Sequence, residues 1–326
     1  MQCSSDTRSK ALLFDHHCYG ERESVMQILC AVDGSEWSQW GVQALEAFAG
    51  REPEKVTLIH VVDPSALRSG KGGNPVAEKR ALAAMEKAGG ILLREAERSA
   101  RVALGQAVTG PRTKYHRVLA HGPFARTIAR QAQRVKADLI LIGSRGLSDI
   151  QGFLLGSISR QVASMAPCSV FVVKQPIHQL TRVTLAVDDS KQSRFAARFL
   201  RSRILPESAT TTILSSAERP VTDLAIRYLP KAQVEELERP IIERATKLVT
   251  SLRDEFLRDG YAALTNVQMD HVIDTIVKHV EADHTDLLVI GSRDLTKSEK
   301  LHLGSVSESL LRHAPCSVLI VRGRRA

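Results

Sequence analysis

An internal repeat constrains this chain more than any other feature. Residues 143–174, GSRGLSDIQGFLLGSISRQVASMAPCSVFVVK, return as residues 291–322, GSRDLTKSEKLHLGSVSESLLRHAPCSVLIVR, 148 positions later (291 − 143). Each copy follows an apolar run and passes a glycine-bearing loop. Each then takes up a helical pattern at Gly-Ser, breaks at a proline and closes on a β-branched run. The expectation is strand, loop, helix and strand in both. Such a repeat in a chain of 326 residues implies two domains. At roughly 150 residues apiece, each can bury its own core.

The rest of the chain extends the repeat in both directions. Residues 1–24 read as a tail, 25–174 as the first domain, 175–181 as a linker containing Pro176, and 182–326 as the second domain. In the first domain, strands are expected at 27–33, 55–62, 112–120, 137–143 and 168–174. Helices are expected between them, with Trp37, Trp40, Ala44, Leu45 and Phe48 on one face of the first. The Gly/Ser/Pro segment 69–75 should be mobile, and Gly89-Gly90 should bend or break the long helix of 76–104. The second domain repeats the order, with a charged helical region over 231–259 interrupted by Pro240. Alternating strands and helices give an α/β fold: two tandem open five-stranded parallel sheets, each covered by helices on both faces. Ligands in such sheets sit at the carboxyl ends of the strands. The loops VDGS (32–35) and GSRG (143–146) both fall there.

Composition narrows the function. A net charge of +9 invites a nucleic-acid reading, but the excess is spread along the chain and only the Arg322–Arg325 end is dense. Aromatic residues are 4%, too few for base-stacking platforms, so solvated helix faces and an anionic small ligand are the better explanation. No apolar run reaches the roughly 20 residues of a membrane helix, and no secretory h-region opens the chain, so a cytoplasmic protein is expected. The five cysteines contain no C-x-x-C pair, and Cys168 and Cys316 open matching strands as small hydrophobes. His16, His17 and Cys18, and the pair His279 and Asp283, read as tail and surface residues rather than as metal ligands.

The repeat loop has the chemistry of a phosphate site. Glycines let backbone N–H groups approach an anion, and the following helix start adds donors and a positive dipole end. Gly143-x-x-Gly146, then nine residues, then Gly156-Ser157 resembles the nucleotide-binding signature of the universal stress protein family. VDGS, HVVD (60–63), HGPFARTI (121–128) and APCSVFVVK (166–174) stand where that family has counterparts, so the resemblance covers nearly everything from Met26 on. It implies ATP as the ligand, with magnesium as its accompanying ion. Asp33, with Ala31 beside it, would contact ribose or adenine, and the Val61 backbone would meet the adenine edge. Gly143, Arg145, Gly146, Gly156, Ser157 and the N–H of Ile158 would surround the phosphates. A plainer reading stays open, in which Gly143 and Gly156 serve turns and Asp33 caps the first helix.

The second copy departs from this pattern. Asp294 replaces the second glycine, adding a Cβ and a negative charge where phosphates would lie, and no HVVD follows its second strand. Glu308, three residues after Ser305, suggests a capping box that would fill the helix start. One nucleotide per chain, in the first domain, is therefore expected, with the second domain as a degenerate partner packed through the last strands. Homodimerisation stays open, and neither nucleic acid nor membrane is an expected partner. No G-x-x-x-x-G-K-[ST] and no G-x-S-x-G occurs. Only Asp33 and Asp149 offer a general base near the loop. A regulatory role in stress adaptation is the first reading. The alternatives are a binding module whose second domain holds an apolar or anionic molecule, and a slow ATPase or phosphotransfer protein.

Overall fold

The computed structural model describes residues 26–48, 53–67, 74–105, 113–147, 155–220, 228–292 and 303–323. The expected tail, residues 69–73, Asp149 and Asp294 lie outside them.

The first half runs β1 (Gln27–Ala31), α1 (Glu36–Gln43), β2 (Lys55–Val62), α2 (Pro75–Ala103), β3 (Lys114–His121), α3 (Phe124–Arg134), β4 (Leu139–Gly143), α4 (Ser157–Met165) and β5 (Ser169–Val173). The second runs β6 (Arg182–Ala186), α5 (Lys191–Arg203), β7 (Thr210–Ala217), α6 (Lys231–Arg258), β8 (Ala262–Met269), α7 (Val272–Ala282), β9 (Leu287–Gly291), α8 (Ser305–His313) and β10 (Ser317–Val321). Each half is a five-stranded parallel block. The blocks join edge to edge through an antiparallel β5–β10 pair, giving one sheet in the order β3-β2-β1-β4-β5-β10-β9-β6-β7-β8. The central strands are buried at every position, as LILIG and SVFVV show, because helices cover both faces. Leu93, Ala100, Leu200 and Phe256 seal one face, and Ile128, Val162, Ile276 and Leu310 seal the other.

The join has a local two-fold character. Phe171 lies opposite Leu319, its own repeat mate, with Val172 opposite Val318 and Val170 opposite Ile320. The Lys174 N–H donates to Ser317 Oγ at 3.1 Å, and the Arg322 N–H donates to Ser169 Oγ at 3.2 Å. Lys174 Nζ donates to the Ala314 carbonyl at 2.5 Å, while the Arg322 guanidinium donates to the Ala166 carbonyl at 2.8 Å. Burial pulls the Lys174 ammonium down to about 8, and burial pushes the neighbouring Cys316 thiol up to about 11. Cys30, Cys168 and Cys316 are buried, and none of them forms a disulfide among the described residues.

Three local expectations are corrected. The helix α2 runs unbroken through Gly89-Gly90, where a Cβ on Gly89 would come within 2.6 Å of the His60 ring and 2.8 Å of Leu119. That glycine marks a close approach of helix to sheet rather than a break. The helix α6 likewise runs through Pro240, at the loss of one intrahelical hydrogen bond. Glu308 makes no capping box. Gly304 is the N-cap of α8, so Ser305 is already helical and Glu308 stands one position too far along. Its carboxylate pairs with Arg160 of α4 at 3.2 Å instead.

Candidate functional site

At the carboxyl end of β1 the chain turns sharply into α1. Gly34 takes φ +89°, a left-handed value that a side chain disfavours. Ser35 is the N-cap of α1, its Oγ accepting the Ser38 N–H at 3.2 Å. Asp33 is therefore not the cap. Its Oδ1 braces the turn, accepting the Ser35 N–H at 2.9 Å and the Ser35 hydroxyl at 2.6 Å. Its Oδ2 accepts the Leu147 N–H of the glycine loop at 3.3 Å. One oxygen of Asp33 thus serves the fold and the other faces the loop.

The loop is closed at its base. The Ser144 carbonyl accepts the Gly156 N–H at 2.7 Å and the Ser159 hydroxyl at 2.7 Å, drawing the start of α4 onto the end of β4. Gly156 is the N-cap of α4 and supplies no side-chain cap. Ser157 is exposed and Ile158 half-buried, so the first N–H groups of α4 sit at an uncapped helix start beside the loop.

Gly143 has a reason of its own. A Cβ there would lie 2.5 Å from the Trp37 carbonyl carbon and 2.8 Å from the Ser38 nitrogen. Its mate Gly291 has the same relation to Gln192, at 2.8 Å. Both glycines admit the start of a helix against the sheet, whatever binds above them.

Arg145 lies over the Trp37 ring, with its guanidinium carbon 5.3 Å from the centroid. The pattern of the sequence puts Trp37 on a helix face but does not reveal this contact, since nothing in residue spacing links positions so far apart. His60 was missed in the same way. Its Nδ1 donates to the Val32 carbonyl at 2.9 Å, tying β2 to the turn before Asp33. Ala31 and Val61 lie on the α3–α4 face of the sheet, on neighbouring strands. Beyond Val61, the Ser65 hydroxyl and N–H hold the exposed Asp63 carboxyl below its usual range.

Of the nine residues singled out, Asp33, Gly143, Arg145, Gly146, Gly156, Ser157 and Ile158 gather around the β1 and β4 ends, with Ala31 and Val61 beneath. Together they offer carboxylate acceptors for hydroxyls, backbone donors for an anion and one guanidinium. Among the described residues no cluster of three potential metal ligands occurs, and no helix is long and apolar enough to cross a membrane. His279 contacts Asn266 at 3.5 Å and His313 the Ser309 carbonyl at 2.8 Å, as packing and surface residues.

Comparison with known proteins agrees with this architecture. The universal stress protein family model matches twice, at residues 25–174 and 180–322. A Staphylococcus aureus (strain USA300) protein named for that family is 30% identical over 149 residues, covering 45% of this chain and 82% of the relative. The crystal structure of a universal stress protein from Archaeoglobus fulgidus DSM 4304 covers 91% of this chain and 96% of its own, at 18% identity and a TM-score of 0.64. A family member from Arabidopsis thaliana, solved with AMP bound, covers 45% of this chain and 93% of its own at 19% identity and a TM-score of 0.33. With two family matches spanning most of its length and a strand order repeated in each half, this chain belongs to the universal stress protein family.

Proposed function

We propose that the chain binds one adenine nucleotide, ATP with magnesium, in its first domain, and acts as a regulatory protein of stress adaptation in the cytoplasm. In this reading the nucleotide domain spans 25–174, the linker 175–181 and the degenerate partner domain 182–326. The AMP of the Arabidopsis thaliana protein belongs to that protein; the reading here rests on this chain's own residues. The observation that carries it is the meeting of an uncapped α4 start with a loop held to Asp33 through Leu147. Asp33 Oδ2 would exchange the Leu147 N–H for a ribose hydroxyl, and Ala31 and the Val61 backbone would border the base. The N–H groups of Ser157 and Ile158, the glycine backbone of 143, 146 and 156, and Arg145 would take the phosphates. The Ser157 hydroxyl would reach a phosphate or a magnesium-bound oxygen.

The test begins with protein denatured directly after purification, its released nucleotides separated by chromatography, and continues with ATP titrated into the stripped chain. One ATP per chain is expected. No binding, or two per chain, would overturn the reading. Turnover well above background would make the protein an ATPase rather than a binding switch.

A further inference from the structure

The second half carries a cleft between α5 and α6. It is about 450 Å³, within the size range of small-molecule sites. Asp189 and Arg194 line it from the β6–α5 turn and the start of α5, and Glu243, Arg244, Lys247 and Ser251 line it from α6, over Leu248. In the first half the corresponding turn is closed. Gly34 stands where the second half has Asp189, and a Cβ on Gly34 would come 2.7 Å from Leu92 of α2. Asp189 carries a full side chain without a left-handed backbone, and it and residues of α6 line the cleft.

Three cations from two elements meet two carboxylates there. Asp189 is paired with Arg194 at 3.4 Å. Arg244 and Lys247, one turn apart on α6, form no ion pair among the described residues. Like charges at this spacing repel on an isolated helix, and an anion between them turns that repulsion into a site. A guanidinium pairs with a phosphate through two parallel hydrogen bonds, the ammonium adds a point charge, and Ser251 adds a hydroxyl donor. The cleft is lined by α5 and α6, on the opposite face of the sheet from α7 and α8. Asp189 follows Asp188, the counterpart of Asp33, but none of the residues corresponding to the nucleotide site lines the cleft.

We infer that this cleft binds a small phosphate-bearing molecule through Arg194, Arg244 and Lys247, independently of the first domain. The test uses the full chain carrying Gly156→Asp, so that the first-domain site cannot contribute. Pyrophosphate is titrated in by calorimetry and by amide chemical-shift mapping, with citrate as the carboxylate probe. Saturable pyrophosphate binding is expected, with shifts centred on Asp189, Lys247 and Ser251. Arg244→Ala with Lys247→Ala should weaken it at least tenfold while leaving the thermal midpoint unchanged, because both residues are exposed. Absence of saturable binding, or binding indifferent to the double substitution, would overturn the site. Citrate binding as tight as pyrophosphate would overturn the phosphate class.

Discussion

The two halves share a skeleton and differ above it. In both, a glycine at the end of the fourth strand of the half admits a helix start, Gly143 against Trp37 and Gly291 against Gln192. In both, an aspartate braces the first turn, Asp33 through Ser35 and Asp188 through Ser190 and Ser193. The differences lie where a ligand would touch. Trp37, which carries Arg145, becomes Gln192, and Gly34 becomes Asp189. Strand pairing aligns Ile59 with Leu214, so Val61 corresponds to Ser216, whose buried hydroxyl has no hydrogen-bond partner among the described residues. Both halves therefore keep the bracing aspartate, the packing glycine and the Gly-Ser helix start, while the turn after the aspartate, the position of Trp37 and the end of the second strand have diverged.

Placing a carboxylate at each helix start should break this comparison most sharply. Aspartate is a favoured N-cap, so Gly156→Asp should leave stability equal or higher by a few tenths of a kcal/mol, about 0.3. The same charge some 5 Å from a phosphate repels it by about 3 kcal/mol at an effective dielectric near 20. ATP affinity measured by calorimetry should fall at least about a hundredfold. Gly304→Asp, where a Cβ meets nothing within 4 Å, should leave ATP affinity and stoichiometry untouched. Should Gly304→Asp halve the stoichiometry, the asymmetry is gone.

Alanine at the packing glycines should act alike in both halves and ignore ligand. Gly143→Ala drives a Cβ to 2.5 Å from backbone and Gly291→Ala to 2.8 Å. Losses of about 3 and about 2 kcal/mol are expected in denaturant unfolding, with or without ATP. A loss in ATP binding without a loss in stability at Gly143 would return that residue to the phosphate site.

Much of this was legible in the sequence, and the exceptions share a cause. The repeat and the alternation of apolar strands with helices follow from local pattern in runs such as SVFVV and SVLIV, while pairing through the last strands comes from the family resemblance. What stayed hidden depends on contacts between distant residues. Gly89 looked like a helix breaker because His60 and Leu119, which need its missing side chain, lie on strands far off in the chain. Gly143 looked like a phosphate glycine because the Trp37 backbone is invisible from position 143. Glu308 looked like half of a capping box because a shift of one residue in the helix start cannot be read from spacing.

At the join, repeat mates differ in chemistry and the difference titrates. Lys174 and Arg322 make matching hydrogen bonds to Ala314 and Ala166, but only the lysine can lose its proton in an accessible range. Its folded value near 8 lies below the ordinary 10.5, so above pH 8 the unfolded chain binds more protons and stability rises with pH. The thiols of Cys316 and Cys30, both raised by burial, oppose this from about pH 8 as they ionise in the unfolded chain. The lysine's own share between pH 8 and 9 is a gain of about 1 kcal/mol, read as the difference from Lys174→Arg, which keeps both thiols. Across that window the unfolding free energy of the unsubstituted chain should rise relative to Lys174→Arg. Parallel profiles would show that the ammonium reaches solvent.

The smallest effect tests whether the halves are matched to each other. Arg160 and Glu308 are repeat mates, 148 positions apart, and they meet across the join at 3.2 Å. If two first halves paired in this way, Arg160 would face Arg160; divergence has turned a like-charge contact into an ion pair. Both side chains are more than a third exposed, at 46% and 40%, so the pair is worth no more than about 0.5 kcal/mol. Arg160→Glu and Glu308→Arg should each lower stability by about that amount in low salt, and the double exchange should restore it. All three should converge in 0.5 M salt, where screening acts within a few ångströms. If the double exchange fails to recover the loss, the contact is incidental, and the shared strand edge with its buried hydrogen bonds holds the halves together without charge selection.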